Sequence, residues 1–180
     1  MKTVILLFHP DMDHSLVNKR LVKAAQQNRN VDVRDMYALY HDLPIDVEKE
    51  RHVLESANRI IFQFPLKWYS APALVQSWKE QVLDDYWLHS GPQGGEILHG
   101  KELMVTVAYS EPSYDFTTAG KYKYTLKELL RQFEVLSIHL GVQYCEPFTV
   151  YELDDLDRAT TEYAELVNKD ELPKQPIGEK

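Results

Sequence analysis

Apolar residues recur along this chain with two periods, and the two take turns. Thr3 to Phe8 is an apolar run without alternation, the mark of a strand covered on both faces. After the polar loop His9 to His14, Ser15 stands where a helix cap belongs. Leu16, Val17, Leu21, Ala24 and Ala25 follow at helical spacing. Val31 and Val33 alternate with Asp32 and Arg34, which predicts a short second strand. A Tyr-rich connection, Met36 to Leu43, leads to a helix over Val47 to Ser56 and a third strand over Arg59 to Phe64. Leu74, Val75, Trp78, Val82 and Leu83 recur at steps of three and four, predicting a helix from near Pro72 to Tyr86 or Trp87. Gly91 to Gly100 holds four of the seven glycines and reads as a flexible excursion. Glu102 to Ala108 is the fourth strand and Ser110 to Lys123 a loop rich in Tyr, Pro and Gly. Leu126, Leu129, Leu130, Phe133, Leu136 and Leu140 mark a further helix that Gly141 stops. Val142 to Val150 holds a fifth strand and Leu156 to Val167 an acidic last helix. A single domain over residues 1–172 then leaves a flexible tail, Pro173 to Lys180.

Strand and helix alternate five times, which predicts a parallel sheet with helices on both faces, a doubly wound three-layer α/β domain. Five parallel strands in a chain of this length suit the flavodoxin-like order 2-1-3-4-5. Such sheets bind ligands beyond the carboxyl ends of their strands, where the strand order reverses. The loops predicted there are His9–Ser15, Pro65–Ala71 and Tyr109–Tyr124. The second is odd for a connection, because turns favour Gly, Asn, Asp and Ser and this one carries Trp68 and Tyr69. Two readings of that pair stand: packing against the core, or a face for a planar ligand. The position at the binding edge favours the second, as do the aromatics of the neighbouring loop, Tyr109, Tyr114, Phe116, Tyr122 and Tyr124.

Composition removes several alternatives. The net charge of −8 gives the chain nothing to gain from a phosphate backbone, so nucleic acid is not an expected partner. The apolar N-terminus is too short for a membrane span or a signal peptide and runs into His9-Pro10-Asp11, so no membrane insertion is expected. One cysteine, Cys145, excludes an internal disulfide and fits a reducing cytoplasm, and its strand position makes it a core residue. The first glycine is Gly91, so the first strand–helix turn carries neither a dinucleotide fingerprint nor a P-loop. The seven histidines have no metal-ligand spacing, and Ser70 lacks the frame of a nucleophile elbow. Asp11 and Asp13 lack the Lys and Thr partners of a phospho-acceptor site. What remains beside the aromatic loop is the start of the first helix, whose free N–H groups and dipole suit a phosphate; Ser15 there is equally an ordinary cap.

The motifs carrying a resemblance are His9-Pro10 with Ser15-x-x-Asn18-Lys19, and Phe64-Pro65-Leu66-x-Trp68-Tyr69-Ser70-x-Pro72-Ala73. Further along come Trp78-x-x-x-Val82, Leu98-x-Gly100-Lys101 and Tyr124-Thr125-Leu126-x-Glu128-Leu129-Leu130. Through them the chain, over about residues 3–170, resembles the flavodoxin-fold NAD(P)H:quinone oxidoreductases. The likeness is to the small bacterial branch, with its general-stress-type oxidoreductases and potassium-efflux ancillary subunits. The resemblance implies FMN rather than FAD, with NAD(P)H as co-substrate and a quinone or similar electrophile as acceptor. It implies hydride transfer in two half-reactions and a homodimer with the site at the interface, which exposed Tyr86 and Trp87 would suit. By similarity His9, Ser15, Leu16 and Asn18 hold the flavin phosphate and ribityl chain. Pro65, Leu66, Lys67, Trp68 and Tyr69 wrap the ring, and Ala108, Tyr109, Ser110 and Tyr114 close the third side. There the family's glycines are replaced by Ala108-Tyr109-Ser110-Glu111-Pro112. Trp68, Tyr69, Tyr122 and Tyr124 are the residues expected nearest the reacting groups. Two other roles stay open: a regulatory subunit docking on a potassium efflux transporter, and a flavodoxin-like electron carrier.

Overall fold

Thr3–Leu7 forms β1, an interior strand, and every one of its residues is buried. Parallel strands flank it in register, β2 (Val31–Asp35) pairing Thr3 with Val31 and β3 (Arg59–Pro65) pairing Thr3 with Arg59. β4 (Glu102–Tyr109) lies beyond β3, again parallel. The outer strand comes in two pieces, β5 (Gln143–Tyr144) and β6 (Phe148–Tyr151), both parallel to β4. The order is therefore β2-β1-β3-β4-β5, with the reversal between β1 and β3. This computed structural model describes residues 1–91, 96–152 and 154–178. The glycine-rich excursion expected over Gly91 to Gly100 falls partly on residues 92–95, outside that set.

Side-chain parity sorts the sheet into two cores. Val4, Leu6, Phe8, Ile60, Phe62, Phe64, Leu103, Val105 and Val107 face one layer of helices. That layer comprises α2 (Met36–Tyr40), α3 (Val47–Ser56), α4 (Ala73–Val82), α5 (Asp85–Leu88), α6 (Leu126–Leu129) and α7 (Arg131–Leu140). Trp78 is wholly buried at its centre, edge-on to Phe8 and Phe62, pairs that add about 0.5–1.5 kcal/mol beyond their burial. Ile5, Ile61, Met104 and Ala108 face the other layer, α1 (Leu16–Ala25) and α8 (Leu156–Asn168).

Several expected elements are cut shorter. The connection Met36 to Leu43 begins as a helix because the Asp35 carboxylate caps Ala38 N–H. The helix expected to reach Trp87 stops at Val82, and Asp84 caps a separate turn. That turn carries Trp87 inward: it is 7% exposed, its indole N–H donates to Glu55, and Arg51 lies over its ring. Trp87 is therefore no interface residue, whereas Tyr86 is 88% exposed. The helix through Leu130 is likewise two, with Thr125 and Glu128 forming a capping box for the first. Gly141, at φ +64°, ends the second as expected. The tail expected to be flexible from Pro173 is docked as far as Gly178. Lys174 bridges Cys145, Glu146 N–H donates to Pro173 and Gln175 N–H to Tyr144.

No helix among the described residues is long and apolar enough to cross a membrane.

Candidate functional site

The carboxyl ends of β1, β3 and β4 open into a cleft of about 420 Å³, within the range of small-molecule sites. Its floor is the start of α1. Ser15 caps that helix, its Oγ accepting from Asn18 N–H at 3.3 Å, and Leu16, Val17 and Asn18 line the cleft above it. An N-terminal turn so placed presents backbone donors and the positive end of the helix dipole. Asn18 is 1% exposed, and its side-chain oxygen accepts from Gln63 Nε2 at 3.1 Å.

His9 continues β1 into the cleft. Its Nδ1 accepts the Asp11 N–H at 3.1 Å, which requires a neutral ring with the proton on Nε2. Burial, with Lys67 nearby, lowers its pKa in the same direction. Asp11 and His14 face the cleft, hydrogen-bonded to each other at 2.8 Å, and that bond lowers the Asp11 pKa. Both lie in the loop expected at the binding edge but were not named as site residues, and nor were Val17 and Glu152. Glu152 is legible only as the residue past β6, whose N–H bonds Tyr109 O and so joins the edge loops.

Pro65, Leu66 and Lys67 form the second wall, tied to the third strand-end by Leu66 N–H donating to Ala108 O at 2.8 Å. Lys67 and Ser70 then exchange backbone hydrogen bonds at 2.8 and 3.0 Å around Trp68 and Tyr69. Both central residues lie in the left-handed region, at φ +49° and +64°. That is the type I′ geometry which Asn and Gly fill without strain and which costs bulky residues about 1–2 kcal/mol each. Two aromatics held there, with Trp68 92% exposed, put backbone strain into displaying a ring at the rim. Ala108, Tyr109 and Ser110 make the third wall.

The cleft thus brings together His9, Ser15, Leu16, Asn18, Pro65, Leu66, Lys67, Ala108, Tyr109 and Ser110. Trp68 and Tyr69 stand on the hairpin beside it. Tyr122 packs on Tyr69 at 4.9 Å between ring centroids, and the contact continues through Phe116 to Tyr109. The hydrogen bond between Tyr69 and Tyr122 raises the Tyr69 pKa. Tyr114 and Tyr124 are exposed and do not line the cleft.

The arrangement defines a doubly wound α/β protein with an open, mixed-polarity ligand cleft at its switch point. The flavodoxin-like-fold family matches residues 1–170, and the chain belongs to it. It is 38% identical over 151 residues to the uncharacterized NAD(P)H oxidoreductase YrkL of Bacillus subtilis (strain 168), covering 84% of this chain and 86% of that protein. It is 36% identical over 150 residues to the glutathione-regulated potassium-efflux system ancillary protein KefG of Enterobacter sp. (strain 638), covering 83% and 81%. The crystal structure of general stress protein 14 from Treponema denticola in complex with FMN superposes with TM-score 0.86. That match is at 28% identity over 93% of this chain and 98% of the other.

Proposed function

We propose that the chain is an FMN-dependent NAD(P)H oxidoreductase that reduces quinones or similar electrophiles. The observation that carries the reading is the cleft itself, with helix-terminal donors on its floor and strained, displayed aromatics on the hairpin beside it. The donor set fits a flavin mononucleotide. Ser15, Asn18 and the first turn of α1 offer donors to a phosphate, with neutral His9 supplying an Nε2–H. Lys67 adds a positive charge, while Asp11, hydrogen-bonded to His14, and Glu152 are opposing carboxylates. Pro65, Leu66, Ala108 and Tyr109 give an apolar slot with backbone groups at its edge.

Bound there, a flavin would supply two-electron hydride chemistry between NAD(P)H and the acceptor. The protein's part is to hold the ring at a slot that donor and acceptor enter in turn. Trp68 and Tyr69 wall that slot, and Tyr122 fixes Tyr69 by ring contact. No side-chain nucleophile is required, in line with the chemistry of the lining residues. Exposed Trp68, Tyr86, Tyr114 and Tyr124 are apolar surface for a second copy of the chain, and a homodimer completes the reading. A cytoplasmic location goes with it.

Purified protein should bind added FMN, show flavin absorbance, and oxidise NAD(P)H when a benzoquinone is present. A colourless protein that takes up no FMN and turns over no NAD(P)H overturns the proposal. The near-equal identity to KefG favours a second reading, an ancillary subunit of a potassium-efflux transporter with redox activity secondary. Recovery of the chain bound to such a transporter distinguishes the two.

A further inference from the structure

Two polar pairs interrupt the face of the sheet that packs on α1 and α8, and they sit on register partners of β3 and β4. Arg59 lies opposite Glu102 and Gln63 opposite Thr106. The first pair is structural, since Arg59 binds the Val167 and Lys169 carbonyls at the end of α8 and Glu102 accepts from Leu172 N–H. The second leads elsewhere. Tyr163 Oη on α8 donates to Gln63 Oε1 at 3.0 Å, and Gln63 Nε2 donates to Asn18 Oδ1 at 3.1 Å. Thr106 Oγ1 lies 3.4 Å behind, donating to the Tyr163 oxygen. Thr106, Tyr163 and Gln63 are 0% exposed and Asn18 is 1% exposed.

We infer that Thr106, Tyr163 and Gln63 are positioning residues that fix the polarity of the Asn18 amide, aiming its NH₂ group into the cleft as a donor to the flavin phosphate. This rests on the flavin reading of the cleft. The direction is that of the hydrogen bonds themselves, Tyr163 donating to Gln63 and Gln63 to Asn18. With the Tyr163 proton on Gln63 Oε1, Gln63 faces Asn18 with its NH₂ and Asn18 meets that with its oxygen. Among the described residues no protein group accepts from Asn18 Nδ2, which is left at the cleft. The reverse chain would end in a carbonyl oxygen, which repels an anion. Gln63 and Asn18 are also held by their backbones, Gln63 O accepting from Phe8 N–H and Asn18 N–H donating to Ser15 Oγ. Burial pushes the Tyr163 phenol well above its ordinary pKa, so it stays a donor at any working pH. Apolar side chains would fill this core without desolvating three polar groups, so the chain's worth lies in orientation.

The test compares FMN with riboflavin, which lacks the phosphate, by flavin fluorescence quenching in apoprotein. Tyr163→Phe keeps the ring and frees the Gln63 amide to turn. It should weaken FMN about tenfold, the loss of one charge-assisted hydrogen bond, and leave riboflavin unchanged. Asn18→Ala should do the same, and Tyr163→Phe added to it should do nothing further. Gln63→Met serves as the second variant if a thermal melt shows Tyr163→Phe unfolded. Equal weakening of both flavins means a packing role only and overturns the relay, as does no change in either. A wild-type protein that binds no FMN removes the flavin reading and the relay together.

Discussion

Trp68 occupies a backbone conformation that disfavours it, and the exchange between strain and display is measurable. Asn tolerates the left-handed region and, unlike Gly, adds little freedom to the unfolded chain. With its ring 92% exposed, Trp68 has little packing to lose. Trp68→Asn should therefore raise the urea unfolding free energy by roughly 1 kcal/mol while lowering quinone-dependent NAD(P)H oxidation. A variant with lower stability and full turnover would mean that the ring packs rather than serves the site. His9 gives a second residue-scale outcome. Its pKa is lowered from 6.5 on folding, by burial first and Lys67 second. The unfolded chain then binds more protons than the native one between the depressed value and 6.5. Stability should fall as pH drops below about 6.5 and level off beneath the folded pKa. Comparing urea midpoints of wild-type and His9→Asn apoprotein from pH 7.5 to 5 isolates the effect, since the variant lacks this proton uptake. Parallel curves would show that the ring is not held neutral.

At the scale of elements, β3, β4 and the end of α8 are joined by charge inside the protein. Glu102 holds Arg59 at 2.6 Å with both side chains at most 10% exposed. Glu102→Ala leaves a buried guanidinium with carbonyl partners alone, and should lower stability by about 3 kcal/mol, the lower end for breaking a buried pair. A loss under 1 kcal/mol in urea denaturation would show that the carbonyls suffice. Nothing in the sequence marks this pair, because Arg59 and Glu102 sit at strand starts forty-three positions apart and read as exposed ends. The same holds for Glu50, wholly buried in a highly charged helix by Arg34, Tyr40 and Trp78. Burial first, and the Glu50 carboxylate second, push the Tyr40 pKa up to about 12. The apolar runs of β1, β3 and β4 and the spacing in α1, α4 and α8 were legible, because burial on both faces leaves continuous apolar stretches. Breaks in helices were not. Leu83 and Leu130 continue the apolar spacing, and the break at the first comes from Asp84 capping a new turn. The cleft's walls were legible through strand-end position, and the His9–Ser15 loop with them; that Asp11 and His14 turn into the cleft and Glu152 joins it was not, since that depends on how loops fold back.

For the molecule as a whole, the open question of the sequence was where the domain ends. Residues 1–172 carry the alternating pattern, and the segment from Pro173 onward has no periodicity of its own. Yet the outer strand needs it. β5 has β4 on one side, and on the other Lys174 bridges Cys145 in antiparallel sense. Two backbone hydrogen bonds, Glu146 to Pro173 and Gln175 to Tyr144, hold the segment there. Gly178 N–H reaches Glu134 Oε1 at 2.5 Å, fastening it to α7. A bare edge invites foreign strands, so a covering segment serves solubility as well as stability. Cys145 reports on this cover: it is 0% exposed, and burial with Glu102 nearby pushes its thiol up to about 12. In the intact protein a thiol reagent must wait for unfolding. Ending the chain at Leu172 removes three hydrogen bonds, each worth about 1 kcal/mol net, and should lower stability by about 2–3 kcal/mol. Labelling of Cys145 by an aromatic disulfide should speed up by more than the stability loss predicts, because local opening of the edge then suffices. If both the urea midpoint and the labelling rate are unchanged, the tail lies on the surface without bearing on the fold, and the boundary at residue 172 is the physical one.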